Sequence, residues 1–98
     1  MILEQALLHV IAGQEAEFER DFRTASAIIS SMPGYIHHSI SRCIEHKSKY
    51  LLLVEWETLE HHTEGFRGSP EYQQWKSLLH HYYDPFPVVE HYEKVSLD

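Results

Sequence analysis

Four apolar residues stand in a row at Leu51-Leu52-Leu53-Val54, inside a segment, Tyr50 to Glu57, that reads as a strand. Side chains alternate across a strand, so this one presents apolar groups to both faces of its sheet and needs cover on both. Ile2 to Ile11 alternates less regularly and predicts an earlier strand, broken by Gly13. From Gln14 to Ser31 the period changes. Phe18, Phe22, Ala25 and Ile29 recur at helical spacing and form one stripe, with Glu15 and Glu17 in the first turn, where the helix dipole favours negative charge. Met32-Pro33-Gly34 ends that helix.

Tyr35 to Glu45 predicts the next strand, with Ile36, His38, Ile40, Arg42 and Ile44 on one face and Tyr35, His37, Ser39, Ser41 and Cys43 on the other. The polar turn His46-Lys47-Ser48-Lys49 makes it a hairpin with Tyr50 to Glu57. Thr58 is placed to cap a short helix from Leu59 to Arg67. Ser69-Pro70 then starts a further helix, whose stripe is Tyr72, Trp75, Leu79 and Tyr82. Asp84-Pro85-Phe86-Pro87 breaks it, and Val88 to Val95 reads as a last strand. The order β-α-β-β-α-β predicts an α+β, ferredoxin-like domain over residues 1–98, with a four-stranded antiparallel sheet and both helices on one face. The other face still carries half of Leu51 to Val54 and part of Phe86 to Val89. The expected cover is a second copy of the chain, sheet against sheet.

Composition narrows the partners. The net charge is −7, which argues against nucleic acid or an anionic membrane surface, both of which call for a basic face. No apolar run approaches the roughly 20 residues of a membrane span. The N-terminus has no basic leader, and the lone Cys43 can form no internal disulfide, so a cytoplasmic protein is the default expectation.

Nine histidines invite a metal reading, but their spacing opposes it. His37 and His38 point to opposite faces of a strand, and His61-His62 and His80-His81 diverge by about 100° around a helix. Zinc takes three or four ligands, and no such set is visible, so no metal is expected. His62 is the sharpest candidate for chemistry. With Leu59 and Phe66 it lies on the apolar face of its short helix, and an imidazole in such a place can take or give a proton. The competing role is a structural histidine bonded to a backbone carbonyl. Trp56, Phe66, Tyr72, Trp75, Tyr82 and Tyr83 all fall in the second half of the chain. Aromatics at helical spacing serve as core, but this many around a small sheet also suit a flat cavity for a planar ligand. Glu90 and His91 point opposite ways on the last strand, so at most one of them sees such a cavity.

Trp56-Glu57, then His62-x-x-x-Phe66, then Ser69-Pro70-Glu71-Tyr72, together with the closing Pro85-Phe86-Pro87-Val88-Val89-Glu90-His91-Tyr92, resemble the antibiotic biosynthesis monooxygenase family. The resemblance spans essentially the whole chain. It implies a homodimer whose sheets meet as a β-barrel, and a pocket in each subunit between helices and sheet. His62 and Phe66 would carry over as pocket residues and Trp56 as a structural anchor. Joined with the aromatic set, this makes His62 the expected catalytic residue and Phe66, Tyr72, Trp75 and Trp56 the expected substrate-binding residues. Relatives include oxygenases of aromatic polyketides that use no metal or flavin, haem-degrading enzymes and an isomerase of a small autoinducer phosphate. The cofactor-free and haem-degrading branches use a pocket asparagine, and this chain contains no asparagine. The resulting expectation is a monooxygenase without cofactor, acting on a small aromatic or quinol-type compound. An isomerase or detoxifying enzyme for a small carbonyl compound, or a non-catalytic ligand-binding dimer, is the alternative.

Overall fold

The computed structural model describes residues 1–98. Strand β1 (Ile2–His9) leads into helix α1 (Glu15–Ser30), then strands β2 (Tyr35–Arg42) and β3 (Lys49–Trp56). A π-helical turn (His61–Phe66), helix α2 (Pro70–Leu79), a 3-10 turn (His80–Tyr82) and strand β4 (Val89–Glu93) complete the chain. All strand pairings are antiparallel and the sheet order is β2-β3-β1-β4. This is the ferredoxin-like arrangement that the periodicities predict.

The predicted stripe of α1, Phe18, Phe22, Ala25 and Ile29, is buried in full. It packs on the inner sheet face, where Ala6, Leu8, Tyr50, Leu52, Val54 and Trp56 are also buried. Full burial of each large side chain contributes about 1.5–3 kcal/mol. Gly34 is needed where it stands: its φ is +82°, and a Cβ there would lie 2.2 Å from the His61 ring.

Several boundaries differ from the sequence expectation. β2 stops at Arg42 rather than Glu45, because beyond Cys43 the chain turns away and Ile44 is 94 % exposed. β1 ends at His9 and β4 spans only Val89–Glu93. The stripe of α2 continues to Tyr82, as expected, but through a tightened 3-10 turn. The face assignment in β2 is also corrected. A bulge between Tyr35 and His37 adds one residue, so Tyr35 falls on the same side as His38, and their side chains meet. Ile36, the extra residue, is left exposed.

The segment after β3 is wound more widely than a standard helix. Thr58 Oγ1 accepts from the His61 amide at 3.2 Å, as its capping position predicts, and the Arg67 amide reaches back five residues to the His62 carbonyl at 3.1 Å. The wide turn sets His62 and Phe66 on one side, both buried towards the sheet. Ser69 Oγ then accepts from the Tyr72 amide at 3.1 Å, and Pro70 takes the first position of α2.

The outer sheet face has no helix on it. Leu3, Gln5 and Leu7 of β1 lie between Glu55, Leu53 and Leu51 of β3 on one side, and Tyr92 and Glu90 of β4 on the other. Leu7 is 40 %, Tyr92 48 % and Val88 77 % exposed, so apolar groups stand open on this face on either side of Gln5 and Glu90. No helix is long and apolar enough to cross a membrane.

Candidate active site

A cavity of about 380 Å³ lies between the inner sheet face and α2, within the size range of small-molecule sites. Ala6, Leu8, Leu52 and Val89 form its floor, and Phe66, Tyr72 and Trp75 its roof. His80, Tyr83, Phe86 and Pro87 close one end, and the exposed Arg67 stands at the mouth. A smaller cleft of about 230 Å³ lies under α1, but there Glu19 is already bound by Arg42 and Tyr50.

On the sheet side of the larger cavity two acid/base groups meet, Glu4 and His62. Glu4 is the only charged side chain on the inner face of β1, and is 6 % exposed. Its Oε1 accepts from Trp56 Nε1 at 2.9 Å and faces His62 Nε2 at 3.3 Å. His62, 3 % exposed, lies nearly parallel to the Trp56 ring at 5.5 Å, and its Nδ1 meets His91 Nε2 at 2.8 Å. His91 arrives from β4, where it is paired directly opposite Glu4. Glu4 Oε2 has no partner in the chain and is not sealed off, and Glu4 lines the cavity.

Burial raises the Glu4 carboxyl to about 6, against the opposing pull of the Trp56 N–H and the Arg67 charge. Burial lowers His62 to about 3, helped by Arg67 and His91. Near neutral pH Glu4 is therefore an anion and His62 a neutral imidazole. A carboxylate only accepts, so His62 carries its proton on Nε2, and its Nδ1 accepts from His91 Nε2–H. The ionised carboxylate keeps one lone-pair-bearing oxygen towards the cavity, beside a cation and an apolar wall. Such an arrangement is suited to removing a proton from a bound ligand. Burial likewise lowers the neighbouring His80 and raises Tyr83 well above the usual phenol range, so Tyr83 remains a donor.

These shifts predict a pH effect on stability. His62 binds its proton more weakly in the folded state, so it contributes stability above about pH 6.5 that is lost as pH falls towards 3. Glu4 acts oppositely, weakening the fold as pH rises from 4.5 to about 6. The larger His62 shift dominates, and acidification from pH 6.5 to 3 is expected to cost the pair on the order of 3 kcal/mol. Denaturant titrations at several pH values check this. The difference between the native protein and His62→Phe should be level above about pH 6.5 and shrink as pH falls towards 3.

Of the residues singled out from sequence, His62, Phe66, Tyr72 and Trp75 meet at this cavity. Trp56 does not line it. Fully buried, it holds Glu4 and stacks on His62 from below. His62 Nδ1 meets His91 Nε2, and its Nε2 stands 3.3 Å from Glu4 Oε1, so its neighbours are side chains and not a backbone carbonyl. Of Glu90 and His91, His91 turns to the helix side, and Glu90 lies on the outer face. Tyr83, from the aromatic set, also lines the cavity, whereas Glu4, Arg67 and His80 were not singled out as cavity groups. Glu4 had a legible signal: a carboxylate in phase with Ala6, Leu8 and Val10, on the side of β1 that must be buried.

The profile of the family described as "Antibiotic biosynthesis monooxygenase" matches residues 1–78. YczJ, an uncharacterized Bacillus subtilis protein, is 64% identical over 95 residues, covering 97% of this chain and 100% of its own. A crystal structure from Bordetella bronchiseptica, provisionally described as an antibiotic biosynthesis monooxygenase, is 34% identical with a TM-score of 0.91 and 97% of each chain covered. SnoaB from Streptomyces nogalater, a cofactor-independent oxygenase, shares the fold at 18% identity, with a TM-score of 0.73 and 98% and 96% coverage. The match to the profile and the identity to the Bordetella protein agree with the β-α-β-β-α-β sheet and its cavity: the chain belongs to the antibiotic biosynthesis monooxygenase family.

Proposed function

We propose that the protein is a cofactor-independent monooxygenase for a small phenolic or quinol-type substrate, working as a homodimer. The observation that carries this reading is the ionised Glu4 carboxylate, buried in an aromatic-walled cavity with one oxygen free. The family membership and the oxygenase described for the Streptomyces fold relative support it. Trp75, Phe66 and Tyr72 hold the substrate ring. Glu4 Oε2 takes the hydroxyl proton, and Arg67 at the mouth favours the phenolate that forms. The electron-rich anion passes electrons to O2 and forms a carbon–oxygen bond at a ring carbon, giving a peroxide anion. Glu4 returns the proton to make the hydroperoxide; the C–H proton on that carbon then leaves as the O–O bond breaks, and it joins the departing hydroxide as water. One oxygen atom stays in the quinone product and the other leaves in water, so one O2 is consumed per substrate.

His62 was expected to be the base itself. Both its nitrogens are engaged, with Glu4 and with His91, so it is assigned to act through Glu4. Incubation with a panel of anthrones, naphthols and hydroquinones under 18O2 tests the proposal. The expected product carries one labelled oxygen. A panel without oxygen uptake sinks the reading. Turnover that continues anaerobically favours the second reading, an isomerase of a small carbonyl compound. That reading draws on the same carboxylate and on Arg67, a cation suited to an enolate.

The apolar outer sheet face supports the dimer. A second copy laid sheet to sheet would cover Leu3, Leu7, Leu51 and Leu53 in both subunits at once.

A further inference from the structure

We propose that His91 is the outer station of a proton relay, Glu4–His62–His91, which connects the cavity carboxylate to solvent at the β4 edge of the sheet. The proposal rests on the reading of Glu4 as the group that exchanges a proton with substrate, but its test is read from the protein alone.

Three features of the geometry carry it. The groups adjoin without a gap: His62 Nδ1 is hydrogen-bonded to His91 Nε2 at 2.8 Å, and His62 Nε2 approaches Glu4 Oε1 to 3.3 Å, close enough for a small ring rotation to bring it into line. Burial is graded outward: Glu4 and His62 are buried, whereas His91 is half-buried on the edge strand β4. The inner nitrogen of His91 is used by His62, while its Nδ1 has no partner in the chain and is not enclosed, so it is free to meet water. A histidine held only for packing does not need titratable side chains on both its nitrogens. Here each neighbour of His62 can itself hold or release a proton.

Burial decides how the proton travels. An imidazolium at His62 is strongly disfavoured, so the ring does not store the charge. The proton passes by exchange of neutral tautomers. Inward, water delivers a proton to His91 Nδ1, His91 Nε2–H moves to His62 Nδ1, and His62 Nε2–H moves to Glu4 Oε1. New bonds form at His91 Nδ1, His62 Nδ1 and Glu4 Oε1, while one O–H bond of a solvent hydronium and the two Nε2–H bonds break. The net change is one proton from water onto the carboxylate, and no electrons move. The reverse sequence releases it. The carboxylate thus reaches protonic equilibrium with solvent behind a substrate that fills the cavity.

The other charged or titratable groups around the path are few. Arg67, after the π-helical turn, acts on all three members. Tyr72, His80 and Tyr83 lie on the α2 side of the cavity, and Glu93 follows two residues after His91 on β4. β3 contributes only Trp56, which does not titrate.

NMR of 15N-histidine- and 13C-glutamate-labelled protein from pH 8 to pH 5, without ligand, tests the relay. The expected result is that His62 and His91 both move from Nε2–H to Nδ1–H with one midpoint, shared with protonation of Glu4. His91→Gln keeps an N–H donor against His62 Nδ1 but cannot pass a proton. In that variant His62 is expected to stay in the Nε2–H form while Glu4 titrates alone. His91→Phe should likewise lose the coupled change. With any quinol the enzyme accepts, His91→Gln should lower kcat by ~10-fold or more at unchanged KM, with partial recovery in imidazole buffer. The relay is overturned if His62 keeps one tautomer throughout in the native protein, or if its switch survives in His91→Gln. Failure of the quinol panel with an intact coupled switch would strike the substrate reading and leave the relay standing.

Discussion

Glu4→Gln is expected to leave the protein folded and to cut turnover of an accepted substrate by about 10²–10⁴-fold, the contribution of a positioned general base. Glutamine is isosteric, and its amide oxygen still accepts from Trp56 Nε1, which lies 2.9 Å from Glu4 Oε1. What it loses is the negative charge and the free acceptor towards the cavity. Stability should not suffer. Burial raises the carboxyl from 4.5 to about 6, so at neutral pH the native fold carries an ionised group it would rather hold protonated. Removing that charge is expected to be neutral or to stabilise at pH 7.5, by up to about 2 kcal/mol. The sign reverses the usual expectation for an Asp or Glu in a salt bridge, and thermal melts beside turnover assays read both effects. Under the proposed function, the native protein should also lose activity as pH falls through about 6, where Glu4 takes up its proton. Full activity in Glu4→Gln would remove the carboxylate from the reaction.

Leu53→Asp is expected to convert the proposed dimer into a monomer. Leu53 sits at the centre of the outer face, opposite Gln5 and between Leu51 and Glu55 of the same strand face. In a two-fold interface each substitution occurs twice, so one mutation places two carboxylates in the same dry contact. Central apolar contacts cost 2 kcal/mol or more when lost. Two of them give about 4 kcal/mol, roughly a 10³-fold weaker association. In the isolated subunit the same side chain is only half-buried, so the monomer should still fold. Light scattering with circular dichroism separates the outcomes. A native chain that is already monomeric at micromolar concentration would remove the second copy from the account.

The fold was legible because its information is local. The spacing of Phe18, Phe22, Ala25 and Ile29 names the buried side of α1 without any knowledge of what lies beneath it. Ser69-Pro70 states where α2 begins, and the run Leu51 to Val54 states that both faces of β3 need cover. The β2 bulge was not legible. Strict alternation carries through Tyr35-Ile36-His37, and only pairing with β3 reveals the extra residue.

The candidate site divides in the same way. His62 and Phe66 announce themselves by helical spacing and a shared apolar face. Glu4 and His91 lie in different strands, and their meeting with Trp56 and His62 spans sequence separations of 52 and 29 residues. Sequence by itself determined the elements, the inner and outer faces, and the aromatic character of the cavity wall. Periodicity fixes direction relative to an element's own axis, and burial follows from it. Only the tertiary structure decided which titratable groups touch, because that depends on sheet order and strand register. A one-residue slip of β4 against β1 would point His91 to the outer face and leave His62 Nδ1 without its neighbour.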